Sequence, residues 1–161
     1  MKQKILFLLL LLLSLGGCTT QQGTEGVVKR EISDEREAVD KEGETVGKIQ
    51  LLINGKTFVV TMEHTEAAQA LTAMLPMTIE MEELNGNEKY HYLSQALPTD
   101  SHVPEQIHIG DLMLYGSDCL VLFYETFSTS YGYTALGKVD DPEGLQEAVG
   151  TGKVEVTLQA E

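Results

Sequence analysis

Four histidines and two cysteines are the residues of this 161-residue chain best suited to metal or nucleophilic chemistry. His64, His91, His102 and His108 are scattered, and none stands in the tight His-x-x-x-His or Cys-x-x-Cys spacing that holds a metal. No metal site and no cofactor is expected. Asp100-Ser101-His102 has the residue types of a hydrolase triad, but triads are assembled in space and not as tripeptides. Cys119 opens the apolar run Cys119-Leu120-Val121-Leu122-Phe123 and reads as a small buried hydrophobe. Glu80, Glu82 and Glu83 read as a solvated strand face. Asp140, Asp141 and Glu143 read as a helix start, where negative charge meets the positive end of the dipole. No catalytic residue is assigned. What remains is aromatic. Phe127-Ser128-Thr129-Ser130-Tyr131-Gly132-Tyr133 sets rings among hydroxyls, and Tyr90-His91-Tyr92 offers a second cluster. Rigid rings beside small hydrogen-bonding neighbours suit recognition. Tyr90, Tyr92, Phe127 and Tyr131 are the expected contacts for a small molecule or an extended peptide.

Cys18 has a different chemistry. It follows Leu15-Gly16-Gly17, and Lys2 and Lys4 precede an apolar stretch over residues 5–15. Those eleven residues would cover about 16 Å as a helix, against a bilayer core of roughly 30 Å. A positive start, a short apolar segment and small residues before a cleavage point read as a signal peptide. With the cysteine in place it reads as a lipobox: the Cys18 thiol receives diacylglycerol, and acyl chains, palmitate among them, become the membrane attachment. The expected organisation is a lipoprotein signal over residues 1–17, the lipidated cysteine and a polar tether over 18–46, and a folded domain over 47–161. The expected location is an extracytoplasmic membrane face, at the cell surface or in the periplasm.

Charge narrows the partners. The formal net charge is −14, and loss of Lys2 and Lys4 with the leader takes it to −16. Nucleic acid is excluded as a partner, since its affinity rests on basic residues neutralising phosphates. Oligomeric state is left open. The tether is charged and poor in large apolar groups, a composition that cannot offset ordering entropy.

The domain must position the rings, and its pattern is strand-rich. Residues 48–53 and 56–62 flank Asn54-Gly55, the pair that a two-residue hairpin turn requires. Thr65 caps a helix to about Leu75, limited by Pro76. Alternation marks a strand over 77–82, Asn85-Gly86-Asn87 a turn, and 89–93 a short strand. Residues 97–105 form a loop. A second hairpin runs over 107–115 and 119–125, its second arm apolar enough to be central. A loop over 127–133 leads to a strand over 134–139. A helix capped by Asp140 or Asp141, with Pro142 in its first turn, precedes a last strand over 153–158. The fold class is mainly β with two short helices, a closed or nearly closed antiparallel barrel. A β-grasp is the alternative, because hairpin, helix and strand also begin that fold.

The order and spacing of four segments resemble the bacterial cyclophilin-like family. They are Leu84-Asn85-Gly86-Asn87-Glu88-Lys89-Tyr90, Gly110-Asp111-Leu112-Met113-Leu114-Tyr115, Leu120-Val121-Leu122-Phe123-Tyr124 and Tyr133-Thr134-Ala135-Leu136-Gly137-Lys138-Val139. The resemblance implies a cyclophilin-like barrel over about residues 48–158. It also raises prolyl isomerisation, which in true cyclophilins uses an arginine aimed at the proline nitrogen. Arg30 and Arg36 both precede the domain, and residues 47–161 contain no arginine. Lysine offers charge without the planar fork. The expectation is the scaffold without the activity: a non-catalytic binding module. A divergent isomerase, or another enzyme on the same scaffold, is the competing class.

Overall fold

The computed structural model describes residues 47–161. The leader, Cys18 and the tether lie outside the described residues. Eight strands close into an antiparallel barrel: β1 (Lys48–Ile53), β2 (Lys56–Met62), β3 (Met77–Leu84), β4 (Glu88–Tyr92), β5 (Asp111–Tyr115), β6 (Cys119–Phe123), β7 (Thr134–Val139) and β8 (Val154–Ala160). Their order around the barrel is β1-β2-β7-β5-β6-β4-β3-β8, and β8 returns to β1. Closure is complete without residues outside this range, and β-grasp is set aside. No helix among the described residues is long and apolar enough to cross a membrane.

Local chemistry builds the elements as anticipated in most places. Asn54 and Gly55 adopt φ of 47° and 78°, the twin positive values that join β1 to β2 without splaying them. Asn85 and Gly86, at 56° and 73°, do the same between β3 and β4. In α1 (Glu66–Thr72) the Thr65 hydroxyl accepts from the Ala68 amide at 3.1 Å, capping an orphan donor. This helix is shorter than expected. Its end tightens into turns from Leu75 to Thr72 and from Met74 to Leu71, because the residue before Pro76 is pushed away from helical backbone.

Two expectations fail, each for a geometric reason. Neither Asp140 nor Asp141 caps α2 (Leu145–Val149), because Gly144 stands before it with φ of 77° and breaks the helical path. Asp140 instead accepts from Lys48 at 2.7 Å and from Thr61, tying the ends of β1 and β2 to the residue after β7. Glu83 is not on a solvated face. It shares the inward side of β3 with Ile79 and Met81, whereas Glu80 and Glu82 face out and pair with Lys153. The strand expected over 134–139 forms as β7 with an irregularity. Leu112 pairs with Gly137 and Met113 with Ala135, so Leu136 is an extra residue and both Leu136 and Gly137 are buried.

The barrel interior is one apolar cluster, including Ile49, Leu51, Val60, Leu71, Leu112, Leu114, Leu120, Leu122 and Val156. Outside the wall, a smaller cluster joins Ile107, Cys119, Val121, Phe123 and Tyr133. It forms because β6 is buried on both faces: Leu120 and Leu122 point in, and Cys119, Val121 and Phe123 point out beneath two loops. The loops clasp each other through mutual backbone bonds between His102 and Tyr133 and between Ile107 and Phe127.

Candidate functional site

Barrel order places β4, β6 and β5 side by side, and register then aligns their outward residues in rows. Tyr92, Cys119 and Tyr115 form one row, Tyr90, Val121 and Met113 the next, and Glu88 with Phe123 a third. Residues two apart on a strand share a face, so Glu88, Tyr90 and Tyr92 stand on the same side of β4. The loop over residues 124–133 brings Tyr131 and Tyr133 over these rows. The result is a cleft of about 310 Å³ with Val121 and Cys119 in its base and Glu88, Leu84 and Asn85 along one side. Five tyrosines line it: Tyr90, Tyr92, Tyr115, Tyr131 and Tyr133.

The rings hold one another. Tyr115 meets Tyr131 edge-on at 6.1 Å and lies tilted against Tyr133 at 5.6 Å. Tyr90 and Tyr92 pack at 5.9 Å with an interplanar angle of 80°. Tyr133 is buried and rests on Phe123, whereas Tyr92 and Tyr131 are each 62% exposed and form the rim. Such edge-to-face pairs fix ring orientation at low entropic cost.

Of the four aromatic contacts expected from sequence, Tyr90, Tyr92 and Tyr131 meet in this cleft. Phe127 does not. It packs on Phe123 at 5.7 Å and lines an adjoining hollow of about 250 Å³, built by Ser128, Thr129 and Ser130. Asn85, Glu88, Tyr131 and Tyr133 border both spaces. Tyr115, Tyr133 and Glu88 were missed, although the spacing Glu88-x-Tyr90-x-Tyr92 already put the acid on the ring face.

The cleft quiets nucleophiles. Burial, with the charges of Asp118 and Glu88, pushes the Cys119 thiol up to about 11. That is the reverse of an activated cysteine. Burial, with the charge of Glu88, pushes the Tyr133 hydroxyl up to about 12. Glu88 is itself raised, by burial and then by the charge of Glu83. It is 8% exposed, and no described group forms an ion pair or side-chain hydrogen bond with it.

The opposite face of β4 is fully satisfied. Lys89 points into the barrel and is entirely buried, donating to Glu83, to the Gly150 carbonyl at 2.9 Å and to that of Gly152 at 2.6 Å. All three ammonium protons are used. Tyr124 donates to Glu83 at 2.6 Å, and Gly86 N–H does so at 3.0 Å. Burial opposes the Glu83 charge, but these bonds and the Lys89 charge together hold its carboxyl below the usual range. Lysine 89 is therefore a structural cation, not a ligand contact.

Elsewhere the residues suited to chemistry stay apart. His91 Nδ1 lies 2.8 Å from the Glu80 carbonyl, and His102 Nδ1 lies 2.9 Å from that of Asp100. Asp100 and His102 are mostly exposed. Among the described residues, no three His, Cys, Asp or Glu side chains are grouped to hold a metal ion.

A family model described as the cyclophilin-like family matches residues 51–159, nearly all of the barrel. The solution structure of a hypothetical protein from Archaeoglobus fulgidus superposes with a TM-score of 0.56 at 15% identity, over 74% of this chain and 99% of that one. At that identity the likeness concerns the fold. No curated protein matches the sequence.

Proposed function

Because the chain belongs to the cyclophilin-like family, we propose that its barrel is used as a scaffold for ligand binding, held at an extracytoplasmic membrane face by lipid on Cys18. The observation that carries the binding reading is the tyrosine cleft on the outer wall of β4, β6 and β5. Its rim rings are exposed, its deeper rings are locked, and its volume falls at the small end of ligand pockets. Tyrosines present large, stiff, amphipathic surface, the property that makes them recurrent anchors in binding sites. A small molecule or the end of an extended peptide fits the dimensions.

Two features weigh against isomerisation. The domain has no arginine to polarise a proline nitrogen, and no cationic side chain lines the cleft. An enzyme of another kind finds support in Glu88 alone, a carboxyl raised by burial inside a cleft and so a candidate for proton transfer. Such an enzyme would show turnover that Glu88→Gln abolishes.

Ligand-detected NMR of the mature chain with extract from its own cells tests binding. Wild type is expected to broaden the signals of one or a few compounds, and Tyr92→Ala with Tyr131→Ala to leave them sharp. Equal broadening by the double variant would place recognition elsewhere. Replacement of Cys18 by serine tests the anchor, with release from the detergent-extractable membrane fraction expected. A variant that stayed processed and membrane-bound would remove the lipid assignment.

A further inference from the structure

The unpartnered groups of the cleft indicate what kind of ligand it takes, an inference that rests on the binding reading above and narrows it. Five tyrosines and one carboxylate line the space, and no lysine does. Glu88 is more than nine-tenths buried, and no described side chain neutralises it. The nearest lysine in sequence, Lys89, faces the other side of the wall with every proton committed. A carboxylate partly withdrawn from water with no counter-charge beside it is destabilised, so its presence where the rings converge needs a reason.

The adjoining hollow supplies a second observation. Asn87 Oδ1 is buried there with no hydrogen-bond partner. Asn87 borders that hollow and not the tyrosine cleft, and like Glu88 it offers an acceptor. The rings add to this. Tyr115 and Tyr131 stand at 90°, and Tyr90 and Tyr92 at 80°. Tyrosine rings around a cleft offer a cation their faces, the negative side of the quadrupole. Five aromatic rings and a carboxylate with no cationic neighbour make a surface complementary to positive charge. A single carboxylate with aromatic walls is too poor in oxygen for calcium or magnesium. It suits a polarisable organic head.

We propose that the cleft binds a small organic ammonium ion, its charged group seated among Tyr90, Tyr115 and Tyr133 against Glu88, with Tyr92 and Tyr131 closing over it. The cavity of about 310 Å³ holds such a head with a short tail.

Choline and 3,3-dimethylbutan-1-ol, alike in shape but differing in charge, separate the charge requirement from the cleft itself. The sample is residues 18–161 with Cys18→Ser, which keeps the whole closed barrel. Tyrosine ring resonances are followed by NMR during each titration. Choline is expected to shift the cleft rings and to saturate at a concentration at least about tenfold below that of the alcohol. In Glu88→Gln the choline affinity should fall about tenfold while that of the alcohol holds. Tyr131→Ala, at an exposed ring, should weaken both. Equal or tighter binding of the alcohol would overturn the cation assignment and leave the cleft as a binding site. No shift with either compound up to about 50 mM would overturn the ammonium assignment, and the cell-extract titration would then decide the binding reading on its own.

Discussion

Glu88 and Lys89 are neighbours in sequence and opposites in circumstance, because one step along β4 passes from the outer wall to the interior. Lys89 is buried but complete. Its replacement by methionine leaves Glu83 and two carbonyls without their donor, and loss of one partner from a buried pair costs about 3–5 kcal/mol. Urea denaturation should show that loss. The Glu83 carboxyl, depressed in the folded state, contributes stability that is present above its unfolded value near 4.5 and lost as pH falls through the lower folded value. Glu88 runs the other way. Its folded value is raised, so its contribution is most favourable below the unfolded value and is lost as pH rises through the folded one. Glu88→Gln should therefore raise the melting temperature near neutrality. A fall would mean that the charge is already compensated in the absence of ligand. The spacing along β4 already put Glu88 on the ring face, but the role of Glu83 was not legible in the sequence. Glu83 belonged by type with Glu80 and Glu82, and only the pairing of β3 with β4 and β8 shows which side it faces.

At the scale of elements, turns were the most legible features and bulges the least. Asn54-Gly55 and Asn85-Gly86 announce hairpins by conformational need alone, and strict alternation located β3 and β8. The extra residue in β7 left no comparable trace, yet it decides packing on the seam that joins the halves of the barrel. Gly137 lies where a Cβ would stand 2.7 Å from the Thr61 carbonyl oxygen and 2.9 Å from a Val60 methyl. Gly137→Ala should overpack this contact with β2 and destabilise the domain by about 1–3 kcal/mol, read as a lower urea midpoint. The cap of α1 gives a milder control. Thr65→Ala removes one bond to the Ala68 amide and should cost about 1 kcal/mol. The cleft itself was half legible: the rings of β4 and of the 127–133 loop are conspicuous by type. Tyr115 was not, and Tyr133 within that loop was not singled out as a contact, because their place depends on β5 and β6 inserting between β7 and β4, a long-range arrangement that no local pattern encodes.

For the whole molecule, the family scaffold and the surface are separate matters. The barrel is a member of the cyclophilin-like family, but its domain has no arginine and its outer wall gathers tyrosines around an acid. A peptidyl-prolyl isomerisation assay at high protein concentration is accordingly expected to show no acceleration over the uncatalysed rate. The chain's formal charge of −14 favours approach of cations over anions, an effect that should weaken with salt. With the proposed lipid on Cys18 and the proposed cation cleft, the chain would act as a receptor for small positively charged compounds held close to a membrane. Native mass spectrometry of the chain purified from its own cells tests that account most directly. It predicts a small organic cation bound at one copy per chain in wild type and lost in the Tyr92→Ala, Tyr131→Ala variant. A compound retained by that variant, or a neutral or anionic compound in the cleft, would contradict it.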